Sequence, residues 1–264
     1  MSLRIQTNVE AFRAHRNLET TQNASAKSME KLSSGFRINK ASDDAAGLAI
    51  SENLKSQVNG AAQASRNVAD GVSLVQTAEG SLDQVHSMLQ RVRELAVQFN
   101  NGTLQASDQA ALTAEAEQLS AEVDRVLNGT KFNGINLMDG SSVTLQVGTT
   151  GDSNDQVSFA VADLATAVPS AAFSLGDING IDDAIKAVSA ERGRLGAIQN
   201  RLDYTQSQLG IYQENMSDSL SRIKDVDMAS EMVKFTKSQI MAQAGTAMLA
   251  QANQAPQSVL SLLR

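Results

Sequence analysis

The side chains that could carry chemistry are few in this sequence and lie far apart. His15 and His86 are its two histidines, and a metal site or a general base would need carboxylates or further ligands beside them. The acidic pair Asp43 and Asp44 follows Ser42. A hydroxyl and two carboxylates in this order stabilise the amino end of a helix. We therefore interpret the group as a helix start capped by Ser42, and not as an acid–base or metal site.

Motifs of the common catalytic classes are also missing. The sequence contains no HExxH, GxxxxGKS/T or GxSxG pattern, so it has no zinc-protease, phosphate-loop or hydrolase signature. It has no cysteine, which excludes disulfides, thiol nucleophiles and cysteine-bound metals. Asn101-Gly102-Thr103 and Asn128-Gly129-Thr130 fit the N-glycosylation pattern, but Asn-Gly is expected at helix ends in any case. We predict that the protein is not an enzyme and uses no metal or cofactor.

The composition is typical of long helices and not of a broad core. Aromatic side chains make up 3% of the 264 residues, tryptophan is absent, and there are only two prolines. Alanine, leucine, valine, glutamine and serine are abundant instead, and such side chains fill narrow seams between helices. With 22 basic against 29 acidic residues the net charge is −7, which argues against a nucleic-acid-binding surface.

The dominant helix is predicted between Ile50 and Phe99. Two apolar rows repeat there every seven residues and are offset by three, as at the a and d positions of a coiled coil. The first row is Leu54, Ala61, Val68, Val75, Leu82, Leu89 and Ala96, and the second is Ile50, Ala64, Gly71, Ala78, Val85, Val92 and Phe99, interrupted by Gln57. A strict period of seven predicts a left-handed supercoil. A helix of this length extends roughly 75 Å, so other segments must cover its seam.

Two further features concern the helices around this seam. The glycines of Asn59-Gly60 and Asp70-Gly71 are local helix breakers, but the heptads continue through both without a change of phase. We therefore expect one helix, bent at most. A helix opened by Ser107-Asp108 and closed by Asn128-Gly129 carries its own heptad seam. Because the connection before it is short, it should fold back antiparallel on the long helix.

One region has strand character. Val143, Leu145 and Val147 alternate with polar residues, and after a Gly/Asp/Asn-rich loop so do Val157, Phe159 and Val161. This alternation predicts a β-hairpin, which we expect to be the only β-structure. The period of seven then returns in a second long helix, with the row Ile181, Val188, Leu195, Leu202, Leu209, Met216 and Ile223. That helix supplies the partner that the first long helix needs.

The two ends of the chain differ from this pattern. Leu3 to Ser34 is predicted as a weakly apolar helix, with Thr7 and Glu10 at capping-box spacing and Gly35 as its left-handed end. The stretch from Ser238 to Leu263 has no ionisable side chain. It contains several glutamines and asparagines, whereas a membrane-spanning helix needs about twenty predominantly apolar residues. We therefore expect burial against other protein and not membrane insertion.

Short motifs at both ends of the chain carry a resemblance to a known family. They are Glu30–Gly35, Asp43–Ile50, Leu89–Val97 and Phe132–Gly134 towards the amino end, and Leu195–Leu202, Ser221–Ile223 and Ala247–Gln254 towards the carboxyl end. With them the sequence resembles the bacterial flagellins over nearly its whole length except about residues 140 to 180. Many flagellins carry large outer domains in that interval, where this sequence has only its hairpin.

The fold expected from periodicity and resemblance together is mainly α. It is a long antiparallel coiled-coil bundle with one small β-hairpin, whose N- and C-terminal helices pair in an assembled filament. The resemblance implies an inner domain of residues 1–42 and 225–264, which forms the polymerisation core. It also implies an outer helical-bundle domain of residues 43–224, with the hairpin and loop as an insert at about 140–180.

The function implied by the resemblance is that of a structural subunit that self-assembles into the flagellar filament for swimming motility. The implied partners are many copies of the chain, filament cap and hook-junction proteins, and an export chaperone. Export through the flagellar type III apparatus would need no cleaved signal peptide, and Met1–Arg4 leads into polar sequence without an apolar region. The alternatives are a hook–filament junction protein and a secreted coiled-coil adhesin or effector that never polymerises.

Two sets of residues are predicted to serve these functions. Polymerisation and inner-helix packing are assigned to Ile5, Val9, Phe12, Leu32, Val233, Ile240, Met248, Leu249, Val259, Leu260 and Leu263. By resemblance, Arg91, Leu95 and Glu115 would contact Toll-like receptor 5. Arg91 and Leu95 fall outside the a and d rows, so both are expected to be able to face outward. The alternative is that Leu95 packs against a neighbouring helix or subunit.

A last expectation concerns order in the free chain. Ordering the backbone costs about 1–2 kcal/mol per residue, and the first helix has few apolar side chains with which to offset that cost. We therefore expect residues 1–40 and 228–264 to be largely disordered before assembly, and the heptad helices to fold within a single chain.

Overall fold

The computed structural model of the chain describes residues 7–161, 163, 164, 168 and 173–262, with side chains to residue 254 in the last helix. Long helices dominate: α1 (Val9–Ser34), α2 (Ala45–Phe99), α3 (Ala106–Gly129), α4 (Ile178–Lys224) and α5 (Met228–Leu262). Four short strands follow α3: β1 (Lys131–Phe132), β2 (Ile135–Asn136), β3 (Ser142–Gln146) and β4 (Gln156–Ala160). The predicted mainly α fold is confirmed.

The chain divides into two compact units. We call Met1–Ser56 together with Met216–Arg264 the terminal unit, and Gln57–Asn215 the central unit. Both boundaries lie inside long helices, so α2 and α4 each contribute residues to both units.

The predicted heptad seam forms the core of the central unit. Both rows of α2 are buried from Ala61 to Ala96, and the facing row of α4 is buried from Ile181 to Leu209. Ala116, Val123 and Leu127 of α3 belong to the same core. At the start of α2 the prediction was wrong, because Ile50 lies in the terminal unit with 52% of its surface exposed.

Polar contacts along the central unit show that α2 and α4 run antiparallel. The partner in α2 moves towards its amino end as the partner in α4 moves towards its carboxyl end. The three contacts are Arg93 Nε to Asp182 Oδ1 at 2.5 Å, Asp83 Oδ1 to Arg192 Nη1 at 3.0 Å, and Ser65 Oγ to Gln206 Nε2 at 2.8 Å. Gln57, which interrupts the apolar row, accepts a hydrogen bond from the hydroxyl of Tyr212 at 3.1 Å.

The two glycines inside α2 make room for the hairpin. α2 is continuous through both, as the unbroken heptads predicted. A Cβ on Gly71 would overlap the Cδ1 atom of Leu145 in β3, and a Cβ on Gly60 would lie 3.3 Å from Thr149 Cγ2. The side-chain amide of Asn67 in α2 also donates to the Gln146 carbonyl at 2.9 Å. These positions therefore serve close packing of a second element and do not break the helix.

The β-structure is more extensive than predicted. β3 and β4 pair antiparallel in the expected hairpin, with Val143 opposite Phe159 and Leu145 opposite Val157. A second antiparallel pair, β1 with β2, surrounds Asn133 and Gly134, which both have positive φ. The expectation of a single hairpin was wrong because two-residue strands are too short to show an alternating pattern.

The helix ends follow the predicted chemistry but not always the predicted residue. Gly35 ends α1 in the left-handed conformation with φ of 75°, as predicted. Asn8 caps α1 by accepting the Ala11 N–H, so Thr7 is not the cap. Asp44 accepts the Gly47 N–H at 2.9 Å and starts α2, so Ser42 is not the cap there. Both corrections arise because several adjacent polar residues can cap, and the chain direction before the helix selects one.

In the terminal unit, α1 and α5 pack against each other as an antiparallel pair. The Asn8 side-chain amide donates to the Ala252 carbonyl at 2.7 Å, and the Ser28 hydroxyl donates to Glu231 Oε1 at 2.7 Å. The less exposed residues of the two helices recur at steps of three and four: Ala11, Ala14, Leu18, Thr21, Ser25, Ser28 and Leu32 on α1, and Glu231, Phe235, Ser238, Ala242, Gly245, Leu249 and Ala252 on α5. Small and polar side chains therefore form most of this seam.

The connectors before α2 and after α4 are joined by backbone hydrogen bonds in the terminal unit. The Arg37 N–H donates to the Lys224 carbonyl at 2.7 Å, and the Val226 N–H donates to the Gly35 carbonyl at 3.0 Å. The Lys224 ammonium lies 5.2 Å from the centre of the Phe36 ring and 3.1 Å from Glu52 Oε1. We call these two backbone hydrogen bonds the clasp between Arg37 and Lys224; they fix the point at which α1 and α5 begin to run beside each other.

Candidate assembly surface

The terminal unit carries a large set of exposed apolar side chains. Phe12 and Val233 are the most exposed of them, at 71% and 70%. The others are Val9, Met29, Phe36, Ile50, Met228, Met232, Ile240, Met241 and Met248. Exposed large apolar side chains concentrated in one unit indicate an interaction site.

The predicted assembly residues divide into two groups in the structure. Val9, Phe12, Val233, Ile240 and Met248 are exposed. In contrast, Leu32 and Leu249 are half-buried in the seam between α1 and α5. Ile5 and Leu263 lie outside the described residues, as do the side chains of Val259 and Leu260.

The outward face of α5 has the simplest geometry. At 3.6 residues per turn, Val233, Thr236 and Ile240 lie on the side opposite the seam residue Glu231. Together with Met232, Lys237 and Met241 they line a shallow, mostly apolar hollow. Because α1 covers only one side of α5, most of the helix circumference stays free in this chain.

A buried polar contact lies within the seam itself. Glu231 is 5% exposed and Ser28 is 7% exposed, and the Lys234 ammonium lies 2.9 Å from Glu231 Oε2. Hydrogen bonds from Ser28 and then from Lys234 lower the pKa of the Glu231 carboxyl below its usual value of 4.5. A buried carboxylate with matched donors favours one register of the two helices, since a shifted register would leave it unpaired.

The residues predicted to meet a host receptor lie in the central unit. Arg91 of α2 reaches Glu115 of α3, with Nη2 to Oε1 at 2.8 Å and Nε to Oε1 at 3.0 Å. The exposed fractions of these two side chains are 51% and 45%. The structure therefore places Arg91 and Glu115 together on an accessible surface.

Of the two predictions for Leu95, the outward orientation was wrong, and packing within the helical core is what the structure shows. Leu95 is only 1% exposed and belongs to the central core. It occupies the heptad position just before the first row, as does Leu74, which is also buried. Two helices, α3 and α4, pack on α2, so the buried stripe of α2 is wider than the a and d rows. The apolar type of both residues was a signal of this wider stripe.

Charge is divided unequally between the units. The terminal unit has 13 basic and 10 acidic residues, and the central unit has 9 basic and 19 acidic residues. Their net charges of +3 and −10 add to the −7 of the whole chain. The repulsion that an acidic chain exerts on its own copies thus resides in the central unit.

Sequence reasoning missed two features of the terminal unit. Neither the Ser28–Glu231 contact nor the clasp between Arg37 and Lys224 was foreseen. Each contact joins residues about two hundred positions apart, and a single sequence carries no local signal of such a pairing.

Within the described part of the chain, no group of acidic or histidine side chains could hold a metal ion. Among the described helices, none combines the length and the hydropathy of a membrane-spanning segment.

These features define a class. Long paired helices with an outward apolar face are characteristic of a helical structural protein that binds further protein through that face.

Comparison with known proteins identifies the family. The bacterial flagellin N-terminal helical region matches residues 5–143, and the bacterial flagellin C-terminal helical region matches residues 178–263. A flagellin of Halalkalibacterium halodurans is 51% identical over 98% of this chain and 99% of its own length. The flagellin of Bacillus subtilis is 42% identical over 99% of this chain and 100% of its own length.

Solved structures agree with this assignment. The crystal structure of Bacillus cereus flagellin superposes with a TM-score of 0.50 and 28% identity, over 55% of this chain and 88% of that chain. A putative flagellar hook-associated protein from Vibrio parahaemolyticus has a TM-score of 0.59 and 17% identity, over 69% of this chain and 100% of that chain, and shows a shared fold alone. The chain belongs to the bacterial flagellin family and is a structural subunit of the flagellar filament.

Proposed function

We propose that the terminal unit is the part of this flagellin that joins copies of the chain, and that the outward faces of α1 and α5 are the joining surface. The observation that carries this proposal is the concentration of exposed apolar side chains there, with Phe12 and Val233 the most exposed. Burying one such side chain stabilises an interface by about 1.5–3 kcal/mol. Many copies packed side by side would bury all of them.

The character of α5 supports a second copy as the occupant of this face. From Ser238 to Gln254 it has no ionisable side chain, and its apolar residues are distributed around most of its circumference. A helix of this kind fits a site surrounded by protein on several sides. In a helical assembly, α5 and α1 of neighbouring copies supply that environment.

The test is seeded elongation with purified protein. Replacing Val233 and Ile240 together by Asp should abolish growth from filament seeds, because two charges would be buried without partners. The thermal unfolding transition should not change, since both side chains are exposed in the free chain. The charge-matched control Ser73→Asp/Ser87→Asp adds the same two charges at exposed positions of α2 in the central unit and should elongate normally. Filaments of normal length from the double variant would contradict the proposal.

Removal of Val259–Arg264 tests the same surface at its carboxyl end. The shortened chain should keep the cooperative melt of the central unit and should fail to sediment as filament.

In the same assay, the behaviour of the parent chain separates a filament subunit from the two alternative functions. A hook–filament junction protein would bind filament ends without elongating them, and a non-polymerising adhesin or effector would do neither, even as the parent chain.

The route and partners proposed for this subunit follow from the same surface. Before assembly, the exposed apolar residues need protection from aggregation, and an export chaperone that binds α5 would provide it. Export through the flagellar type III apparatus would deliver the chain to the filament tip, where cap and hook-junction proteins meet it. Copurification of an α5-binding partner from the producing cell, lost in the shortened chain, tests the chaperone. Retention of the flagellin inside cells that lack the export apparatus tests the route.

Recognition by Toll-like receptor 5 is proposed for the surface of Arg91 and Glu115. Both are accessible and joined by a charge-assisted hydrogen bond, which holds them in a fixed arrangement. Leu95 would contribute by supporting α2 from the core and not by contact. In a receptor reporter assay, Arg91→Ala should reduce signalling by depolymerised protein, while the control Arg125→Ala on α3 should not. Equal signalling from the Arg91 variant would end the proposal.

A further inference from the structure

The methionines of this chain are distributed unequally. The sequence has nine, and five of them are exposed by between 49% and 64%: Met29, Met228, Met232, Met241 and Met248. All five lie in the terminal unit. In the central unit Met138 is 1% exposed and Met88 is half-buried. Exposed thioethers therefore coincide with the surface proposed to join copies.

Four of the exposed methionines flank the outward face of α5. At 3.6 residues per turn, Met228 and Met232 lie on one side of Val233 and Ile240, while Met241 and Met248 lie on the other side. Met232 and Met241 are also at the two edges of the apolar hollow. Any partner that covers the hollow must therefore contact thioether groups on both sides.

We propose that these four methionines are an oxidation site that controls assembly. Methionine sulfur is oxidised by peroxides to the sulfoxide when it is accessible. A sulfur lone pair attacks one oxygen of hydrogen peroxide, the S–O bond forms and the O–O bond breaks. The leaving hydroxide takes the remaining proton and departs as water. Sulfur loses two electrons and the peroxide gains them, so no further reagent is needed.

The effect of oxidation on assembly depends on whether the methionine sulfur is exposed in a free chain or covered in a filament. A sulfoxide is polar, and burying it without a donor opposes association. A free chain oxidised at α5 would thus be excluded from the growing filament, whereas a chain already assembled would have these sulfurs covered. This inference rests on the proposed function of the terminal unit. The modification is reversible, since methionine sulfoxide reductases restore the thioether.

The experiment treats unassembled full-length protein with hydrogen peroxide, removes the peroxide, and measures two quantities. Peptide mass spectrometry counts the added oxygen at each methionine, and seeded elongation measures assembly. We expect oxidation at the α5 methionines before Met138, and an elongation rate lower by about tenfold or more. Treatment with both sulfoxide reductases (one for each epimer) and a dithiol, which supplies the two electrons for each sulfoxide and is itself oxidised to the disulfide, should restore the rate. The same treatment of preformed filaments should leave the α5 methionines mostly unmodified.

Variants identify the responsible residues. The quadruple variant keeps apolar side chains of similar volume and should elongate normally both before and after peroxide treatment; its substitutions are Met228→Leu, Met232→Leu, Met241→Leu and Met248→Leu. The matched control Met88→Leu should remain sensitive. Normal elongation by a parent chain oxidised at all four positions would overturn the proposal, as would equal sensitivity of the quadruple variant. If the untreated parent never elongates, the proposed function fails and assembly control fails with it. Equal oxidation of Met138 and the α5 methionines would separately refute the selective site.

Discussion

The central and terminal units use helices of similar kind for opposite purposes. Every member of the connected apolar core of the described residues lies in the central unit. Within the described part of the terminal unit, Ile38 is the one large apolar side chain that is buried, whereas eleven are exposed. In the seam of α1 and α5 the buried residues are Ser28 and Glu231. One unit thus completes its core within one chain, and the other leaves most of its large apolar side chains exposed.

The difference is what a chain needs if it is to fold by itself and then polymerise as proposed. Apolar burial within the central unit predicts that it is stable by itself, and its charge of −10 opposes unspecific contact between copies. The terminal unit has little internal apolar burial and a net charge of +3, so association through it meets less repulsion. On the proposed function, stability and assembly belong to different parts of the sequence.

Hydrogen exchange on the verified monomer gives the largest expected contrast. Amides of α2 from 61 to 96, and of α4 from 181 to 209, should be protected at least about a thousandfold more than those of α1 and α5. Opening the central unit exposes a large core, while opening the terminal unit exposes little that is not already in water. Strong protection from Ile240 to Leu249 in the monomer would remove the distinction between the units.

Truncation of one apolar residue in each unit should separate stability from assembly. Leu82→Ala removes a fully buried side chain from the central core and should lower the free energy of unfolding by about 2–5 kcal/mol. Val233→Ala truncates a side chain that is 70% exposed, and should change the free energy of unfolding by less than about 0.5 kcal/mol. Chemical denaturation measures both values, and similar losses in the two variants would contradict the comparison.

Glycine-to-alanine changes compare the tightness of packing. A Cβ at Gly71 would overlap Leu145 Cδ1, whereas one at Gly245 would lie 3.2 Å from Leu18 Cδ1. We expect Gly71→Ala to destabilise the central unit by about 1 kcal/mol, because overpacking outweighs the gain in helix propensity. Gly245→Ala should instead stabilise the terminal unit by up to about 1 kcal/mol, as measured by helicity and denaturation. At the exposed Gly80 an added Cβ would meet no atom within 4 Å, so Gly80→Ala is a control for helix propensity alone.

The smallest expected effect concerns pH and the register of α1 against α5. The pKa of the Glu231 carboxyl is below its usual value in the folded chain. The stabilisation of the folded terminal unit by the Glu231 carboxylate is therefore fully present above about pH 4.5. It is lost as the pH falls through the lower pKa that this carboxyl has in the folded chain. A hydrogen bond to a charged group contributes about 1.5–3 kcal/mol at most to stability. Glu231→Gln should reduce both the stability of the terminal unit and the dependence of that stability on pH.

An engineered disulfide can measure this register, because the chain has no native cysteine. A Cβ at Gly245 would lie 3.7 Å from Leu18 Cβ, which suits a disulfide. The rate at which a dipyridyl disulfide oxidises the Leu18→Cys/Gly245→Cys pair is divided by its rate with free cysteine at the same pH, which removes the effect of thiolate fraction. This ratio should fall below pH 4.5, and Glu231→Gln should flatten its dependence on pH. The control Glu19→Gln alters an exposed carboxylate of α1 and should leave it unchanged. An identical profile for all three chains would show that Glu231 does not set the register.

The sequence alone determined which residues share a helix face. The heptad rows predicted the seam from Ala61 to Ala96, Gly35 predicted the end of α1, and alternation predicted β3 and β4. These features depend on spacings of two to seven residues, which the chain fixes locally. The family motifs are local in the same sense.

Only the tertiary structure decided which of those faces are covered. Leu95 is buried because both α3 and α4 pack on α2, and Gly71 is a packing position because β3 crosses it. Ser28 meets Glu231 across most of the chain length. Periodicity places a side chain on a face, but burial depends on a second element that is remote in sequence. For α5, the cover proposed here lies in another copy of the chain.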